Sequence, residues 1–188
     1  MRSISLILLL FSMLVPSSHV LGSQQEASGD DAAAELLARL EGTDAAGKGK
    51  VLDDVIADGG NQVQAVLSLV VDRTDSRGTP KEWQQQLNSD VTARQVISGL
   101  VMLAAAPGNE QNSTILASLL VQQLSEKSKQ GVERFVTRML GDLGNPIAVE
   151  ALSASVRADE DWSDETIRSL GSIPGDDARG SLISLMLE

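Results

Sequence analysis

The side chains best suited to chemistry in this sequence are carboxylates, and their densest cluster is an acidic run late in the chain. The run begins at Asp159 and continues with Glu160 and Asp161. Carboxylate oxygens in a loop are ligands that Ca²⁺ prefers, so the run is a candidate cation site. An EF-hand loop from Asp159 needs glycine at its sixth position and glutamate at its twelfth, where the sequence has Asp164 and Leu170. The pattern is more typical of a solvated loop, and we predict no metal and no cofactor.

Two pairs of adjacent carboxylates are candidates for general acid and base chemistry. They are Asp53 with Asp54 and Asp176 with Asp177. Neighbouring positions on a helix point about 100° apart, so the two side chains of a pair do not converge on one substrate. The second pair stands where a helix is predicted to begin, and acidic side chains are favourable there because of the helix dipole. We therefore predict that neither pair is catalytic.

Histidine, cysteine and tyrosine are nearly absent. The sequence has one histidine, His19, and no cysteine or tyrosine. His19 lies in a predicted leader, so the mature chain has no residue for a Ser-His-Asp set and none for a disulfide. The sequence also lacks a Gly-x-Ser-x-Gly motif and a phosphate-binding glycine loop. These features predict a protein that is not an enzyme, with a small hydrolase or carbohydrate-active protein using carboxylates as the alternative.

The two tryptophans are the large aromatic side chains with the potential to anchor a partner. Trp162 follows the acidic run, and Trp83 stands near a polar interruption of the chain. Trp162 can also pack on Ile167 as a hydrophobic staple at a helix start, which is a purely structural role. The candidate partner-binding residues are Trp83, Trp162, Asp159, Glu160 and Asp161.

The first 22 residues have the features of a secretory signal peptide. Arg2 is followed by an apolar run from Ile4 to Val15, which is too short to cross a bilayer. We predict cleavage between Gly22 and Ser23. The mature protein is then expected in the periplasm or outside the cell, without membrane association.

Composition favours a single all-helical domain after the leader. The chain has 188 residues, of which 42% are hydrophobic and only 2% aromatic, so the core must be aliphatic, which suits close helix packing. A net charge of −11 argues against nucleic acid or anionic membranes as partners, because both need clustered Lys and Arg. Residues 23–30 are expected to be a disordered lead-in. The helical domain covers 31–188, with N-terminal helices over 31–72 and helical hairpins over 79–188.

Capping residues and glycines divide this domain into about nine helices. Thr79 and Glu82 form a capping box that opens a short helix, and residues 88–90 are predicted to cap the next one. The three glycines of 42–49 predict a loop, and Asn61 is a predicted N-cap. Apolar residues recur with the helical period of about 3.6 throughout.

One segment near the C-terminus occurs twice, at a spacing of about 30 residues. The matched positions are Leu140 with Leu170, Gly141 with Gly171, Leu143 with Ile173, Ala148 with Ala178, and Leu152 with Leu182. Self-similarity at this spacing is typical of stacked repeats, because one helical hairpin cannot bury its apolar face alone.

These residues resemble a HEAT-like repeat. In such a repeat the first helix ends in a Leu-Gly turn, as at Leu140-Gly141, and a polar corner such as Asn145-Pro146 opens the second helix. The resemblance implies a short α-solenoid of stacked antiparallel helix pairs with a surface for another macromolecule. A tetratricopeptide-like array or an irregular helical bundle is the alternative.

The sequence therefore predicts a non-catalytic, exported scaffold or adaptor that binds a protein or peptide partner. A self-associating structural module is a further alternative, because an apolar stripe near the C-terminus favours a homo-oligomer. Asn112 begins an Asn-Ser-Thr sequon, which allows glycosylation in a eukaryotic host.

Overall fold

The computed structural model describes residues 28–73, 78–125, 130–158 and 163–187. These residues form nine α-helices, and none of them lies in a β-strand, which confirms the all-helical class for this part of the chain. The helices are α1 (Gly29–Gly42), α2 (Ala45–Ala57), α3 (Asn61–Leu67), α4 (Pro80–Ala104), α5 (Glu110–Ser125), α6 (Gln130–Leu143), α7 (Val149–Ala158), α8 (Ser163–Ser172) and α9 (Asp176–Leu187). Within the described ranges, no helix has both the length and the apolar character that crossing a bilayer requires.

The first two helices start earlier than the sequence predicts, because side-chain caps precede them. The Ser28 hydroxyl accepts a hydrogen bond from the Asp31 N–H at 3.3 Å, so α1 begins at Gly29, inside the expected lead-in. Asp44 caps α2 in the same way and accepts from the Gly47 N–H at 2.8 Å. A good cap contributes about 1 kcal/mol, similar to the cost of one glycine in a helix. Gly47 is therefore helical, although the sequence predicts a loop there.

The turn between α2 and α3 is organised by Asp58 rather than by Asn61. Gly60 precedes α3 with a φ of +79°, which glycine adopts without strain. The Asp58 carboxylate accepts hydrogen bonds from the N–H groups of Gly60 at 2.9 Å and Gln62 at 3.3 Å. The Asn61 amide instead donates to the Asp58 carbonyl at 2.6 Å. The prediction of Asn61 as the N-cap is wrong, because the Asp58 carboxylate already satisfies the free N–H groups.

α4 is one continuous helix of 25 residues where the sequence predicts two shorter helices. The predicted capping box is confirmed, since Glu82 N–H donates to the Thr79 hydroxyl at 3.3 Å and Thr79 N–H donates to Glu82 at 2.8 Å. The second cap predicted at 88–90 does not exist. Asp90 is fully buried in the interior of the helix. Its carboxylate accepts hydrogen bonds from the Val71 N–H and from Arg73, which lie outside α4. An aspartate satisfied by tertiary partners no longer competes with helical hydrogen bonds.

The core is aliphatic, as the composition predicts. Leucine, isoleucine and valine fill it, and the single described phenylalanine, Phe135, lies at its margin with 8% exposure. The largest fully buried side chains come from eight of the helices, α1 to α8, and are Leu36, Leu52, Val55, Val63, Val66, Ile97, Leu100, Leu116, Leu120, Leu140, Leu152 and Leu170. All of the buried apolar residues form one contiguous cluster, so the described helices share a single core.

The contacts between helices can be grouped into two series, which we call rows. In the first row α1 contacts α4, α4 contacts α6, and α6 contacts α8. In the second row α2 contacts α5, α5 contacts α7, and α7 contacts α9. Contacts between the rows join α1 to α2, α2 to α4, α4 to α5, α5 to α6, α7 to α8, and α8 to α9, and α3 packs on α1, α2 and α4. A groove can therefore form between two neighbouring helices of one row, on the side that faces away from the other row.

Three of the five pairs matched in the sequence repeat have the same burial. Leu140 and Leu170 are fully buried, Leu143 and Ile173 are each 5% exposed, and Ala148 and Ala178 are buried as well. Leu152 is buried whereas Leu182 is partly buried against the core. Gly141 and Gly171 differ, because Gly141 is buried against α8 and Gly171 is exposed, with no neighbour within 4 Å of a Cβ placed there. The sequence comparison therefore aligns equivalent apolar core positions but not the two glycines.

The expected Leu-Gly turn at residues 140–141 is absent. Gly141 lies inside α6, and a Cβ there would come within 2.8 Å of the Ser169 backbone on α8. Glycine is needed at this position because α6 and α8 approach closely, and α6 ends only after Leu143. Asn145 then caps the 3-10 turn Pro146–Ala148 by accepting from Ile147 N–H at 3.1 Å, which confirms the predicted polar corner.

Candidate functional site

Most residues predicted to bind a partner lie outside the described part of the chain. Asp159, Glu160, Asp161 and Trp162 fall between α7 and α8, in residues 159–162, and the predicted cleavage site at 22–23 lies before α1. Trp83 is described and is half-buried in the first turn of α4. It does not line the groove that the structure shows between α4 and α6.

The adjacent carboxylates diverge, as helix geometry predicts. Asp54 forms an ion pair with Arg39 of α1 at 2.5 Å, whereas Asp53 accepts a hydrogen bond from the Asn112 amide of α5 at 2.8 Å. Each carboxylate thus ties α2 to a different helix. Asn112, the first residue of the sequon, uses its side-chain nitrogen in this contact, which is the atom that a glycan would occupy.

The buried carboxylate of Asp90 organises a polar cluster next to α4. The sequence predicts this residue to be part of a helix cap. Asp90 accepts hydrogen bonds from the Val71 N–H at 3.0 Å, from Arg73 Nε at 2.8 Å and from Arg94 Nε at 2.8 Å. Two guanidinium groups and a backbone amide therefore compensate the charge of a side chain with no exposure to solvent. The cluster fixes both arginines at the surface above Asp90.

Arg94 is held on three sides. Besides its bond to Asp90, its Nη2 donates to the Val71 carbonyl at 3.1 Å. Its guanidinium carbon lies 4.7 Å from the centre of the Phe135 ring on α6, which is within the range of a cation–π contact. Arg94 therefore joins the segment after α3 to α4 and α6, and its position is set before any ligand arrives.

The two arginines stand at a groove of about 700 Å³ between α4 and α6, which we call the α4–α6 groove. Its floor consists of small or apolar side chains, and its walls carry three arginines and one aspartate. The lining residues are Arg73, Arg94, Ser98, Val101, Met102, Ala105, Ala106, Phe135, Arg138, Met139 and Asp142. Met102 on the α4 wall is 76% exposed, so its apolar side chain is accessible from the groove.

The lining of the α4–α6 groove carries more positive than negative formal charge although the protein is acidic. Arg73, Arg94 and Arg138 line it with one carboxylate, Asp142, and Asp90 lies beneath, while the whole chain carries −11. Arg138 is exposed, and it makes no side-chain hydrogen bond or ion pair within the described ranges. An unpaired guanidinium beside an apolar floor is suited to bind an anionic group.

A second, shallower cleft of about 480 Å³ continues this surface across α4 towards α1. It shares Arg94, Ser98 and Met102 with the α4–α6 groove and adds Lys48 and Glu41. The exposed Met102 side chain therefore stands on a ridge between two clefts. Together they form a continuous surface over three helices of the first row.

Glu150 and Asp177 are two carboxylates from different helices that share a cleft. They line a cleft of about 720 Å³ between α7 and α9, together with Ser153, Ser181 and Ser184. Both carboxylates are exposed, and the Ser153 hydroxyl already donates to the Val149 carbonyl at 2.7 Å. The cleft provides polar groups but no buried acid of the kind that general acid catalysis uses.

The described residues supply little else for chemistry or for a cofactor. No three of their histidine, cysteine, aspartate or glutamate side chains are placed to hold a metal ion. The described ranges also contain no histidine or cysteine. Recognition by charge and shape is what the α4–α6 groove can provide.

Comparison with known proteins gives no relative from which to transfer a function. The chain matches no protein-family model, no curated protein and no solved structure. The geometry of the groove is therefore the basis for the functional argument.

Proposed function

We propose that this protein is a non-catalytic scaffold or adaptor that binds a protein or peptide partner in the α4–α6 groove. The observation that carries the proposal is the exposed Met102 next to the unpaired Arg138, above a floor of buried apolar side chains. Methionine adapts to varied apolar partners, and arginine is enriched at the centres of interfaces. A preorganised Arg94 lowers the entropy lost when such a partner binds.

The proposed architecture is a short HEAT-like α-solenoid of antiparallel helix pairs. Two observations support it: the matched burial of three repeated pairs, Leu140 with Leu170, Leu143 with Ile173 and Ala148 with Ala178, and the contacts of each helix with its neighbours in one row. Stacked repeats leave an extended surface along each row of helices. The α4–α6 groove and the cleft beside it lie on such a surface in the first row.

The proposed location is the periplasm or the exterior of the cell, after removal of residues 1–22. The support is the basic start, the apolar run and the small residue before the predicted cleavage site. Mass spectrometry of the N-terminus of the mature protein tests this, and an intact Met1 would contradict it.

Site-specific photocrosslinking tests the binding proposal. A photoreactive amino acid is placed at Met102 and, as a matched control, at Val91, which is exposed on the same helix but lines neither cleft. We expect a discrete adduct in the producing cells from position 102 and none from position 91. Equal adducts from the two positions, or none from position 102, would contradict the proposal.

The α7–α9 cleft favours one alternative function, a hydrolase that uses carboxylates. Its support is the presence of Glu150 and Asp177 in one cleft of suitable size. Turnover of a glycoside substrate that is lost in both the Glu150→Gln and Asp177→Asn variants would establish it. Turnover that survives either substitution would exclude this cleft as the active site.

A further inference from the structure

The chemistry of the α4–α6 groove specifies the kind of segment that fits it, and this inference rests on the binding function proposed above. We propose that the groove binds a short acidic peptide segment that carries a large apolar side chain. In this arrangement a carboxylate of the peptide pairs with Arg138, and the apolar side chain packs on Met102 and Met139.

The charge argument comes from the contrast between the groove and the rest of the protein. A chain of net charge −11 repels acidic partners over most of its surface, yet three of its 15 Lys and Arg residues line this one groove. Arg73 and Arg94 share the buried Asp90, whereas Arg138 forms no ion pair within the described ranges, although Asp142 lies four residues later on the same helix. A planar guanidinium binds a carboxylate through two parallel hydrogen bonds, so Arg138 is the primary anion contact.

The apolar argument comes from the floor and the ridge. Val101 and Met139 are buried at 1% and 5% exposure, and Ala105 and Ala106 keep the α4 wall low. Met102 remains 76% exposed beside them. Covering Met102 and a large side chain of the ligand removes apolar area from water, which favours association.

The charge pattern of the groove also favours an acidic peptide with an apolar side chain over nucleic acid. A single strand presents a phosphate at every nucleotide and needs a long basic track, whereas here Asp142 interrupts the wall of the groove. The few separated arginines of the groove are therefore better matched by a peptide with one or two carboxylates next to a large apolar residue than by a polyanion.

Selection from a random peptide library tests the inference and requires no identified partner. Phage displaying random 12-residue peptides are selected on the wild-type protein. Enriched peptides are then synthesised with a fluorescein label, and their dissociation constants are measured by fluorescence anisotropy. We expect Asp and Glu to be enriched at least twofold over the unselected library, together with Leu, Phe or Trp.

Two matched pairs of variants locate the binding site. Arg138→Glu is compared with Arg168→Glu, whose side chain is 73% exposed on α8, and Met102→Asn is compared with Met186→Asn, whose side chain is 85% exposed on α9. We expect the two groove variants to weaken binding about tenfold or more, equivalent to about 1.4 kcal/mol, and the two controls to change it less than twofold.

Each other outcome has a defined meaning. Peptides that are lost with Met102→Asn but are neutral or basic would overturn the acidic inference and leave the binding function intact. Peptides insensitive to both groove variants, or no enriched peptide at all, would overturn both proposals. Tighter binding of a labelled oligo-dT strand than of any selected peptide would show that the groove takes nucleic acid instead.

Discussion

Asp90 shows how a single residue can be assigned to a plausible but incorrect role from sequence. Its type and its position after Asn88 and Ser89 are typical of a helix cap, and nothing local contradicts that interpretation. The partners that decide the matter are Val71 and Arg73, which lie 19 and 17 residues earlier in the chain. Only Arg94, four residues later, is a local signal, because that spacing places two charges on one helical face.

We expect Asp90→Ala to destabilise the fold by about 2–3 kcal/mol. The variant leaves the Val71 N–H without its acceptor and two arginines without their shared counter-ion. The loss stays below that of a fully enclosed ion pair, because Arg73 is 53% exposed and can be hydrated instead. Urea unfolding at neutral pH measures the change.

Asp142→Ala is the control for this substitution. Asp142 is exposed on α6 at the same groove and forms no side-chain bond within the described ranges, so we expect a change within about 0.5 kcal/mol. Equal effects of the two substitutions would show that the buried carboxylate does not organise the site.

At the scale of helices, periodicity and capping gave most of the correct elements. The apolar faces of α1, α4, α5 and α6 are buried as predicted, and the capping box at Thr79 and the corner at Asn145 are confirmed. One error was caused by long-range contacts and the other by a local cap that the prediction did not use. Helix α4 continues through a predicted break because tertiary partners bind Asp90, and α2 includes Gly47 because Asp44 caps it.

The glutamate caps make the stability of two helices depend on pH. Hydrogen bonds from the backbone N–H of Thr79, and then from its hydroxyl, lower the pKa of Glu82. The N–H groups of Glu110 itself and of Gly108 lower the pKa of Glu110 in the same way. A carboxyl whose folded pKa is lowered adds stability above its unfolded pKa, about 4.3 for glutamate, and this is lost as the pH falls through the folded value.

We therefore expect the stability difference between wild type and Glu82→Gln to be constant from neutral pH to about pH 5 and to shrink below about pH 4. Urea unfolding at a series of pH values measures it. Lys81→Gln, on the same exposed turn, is the control, because lysine does not titrate in this range. A difference for Glu82→Gln that is flat down to pH 3 would argue against the cap as an ionic contact.

For the whole molecule, the sequence did not predict which helices pack against one another. The repeat spacing identified equivalent positions such as Leu140 and Leu170, but it did not reveal that α3 packs outside the two rows. The α4–α6 groove was also missed. Its residues come from three separate segments, and Met102 lies on the polar side of α4, away from the apolar stripe that guided the prediction.

The exposed face of α9 predicts self-association at high concentration. Ile183, Met186 and Leu187 are 54%, 85% and 83% exposed, which leaves an apolar surface at the end of the second row. We expect sedimentation equilibrium to show a weight-average mass above that of one chain at high protein concentration. The Met186→Ser variant should reduce this increase, and Met102→Ser should not. A strictly monomeric wild type would exclude the homo-oligomer.

The length of α4 has a consequence for how the protein can be divided. The polar stretch before Thr79 looks like a convenient place to cut, yet Gly99 of α4 lies against Leu40 of α1, and Asp90 is bound to Val71. A fragment that starts at residue 79 would keep α4 but uncover the flank that α1, α2 and α3 normally shield. Experiments that aim to isolate the groove therefore need the N-terminal helices in the same polypeptide, even though none of α1–α3 supplies one of its walls.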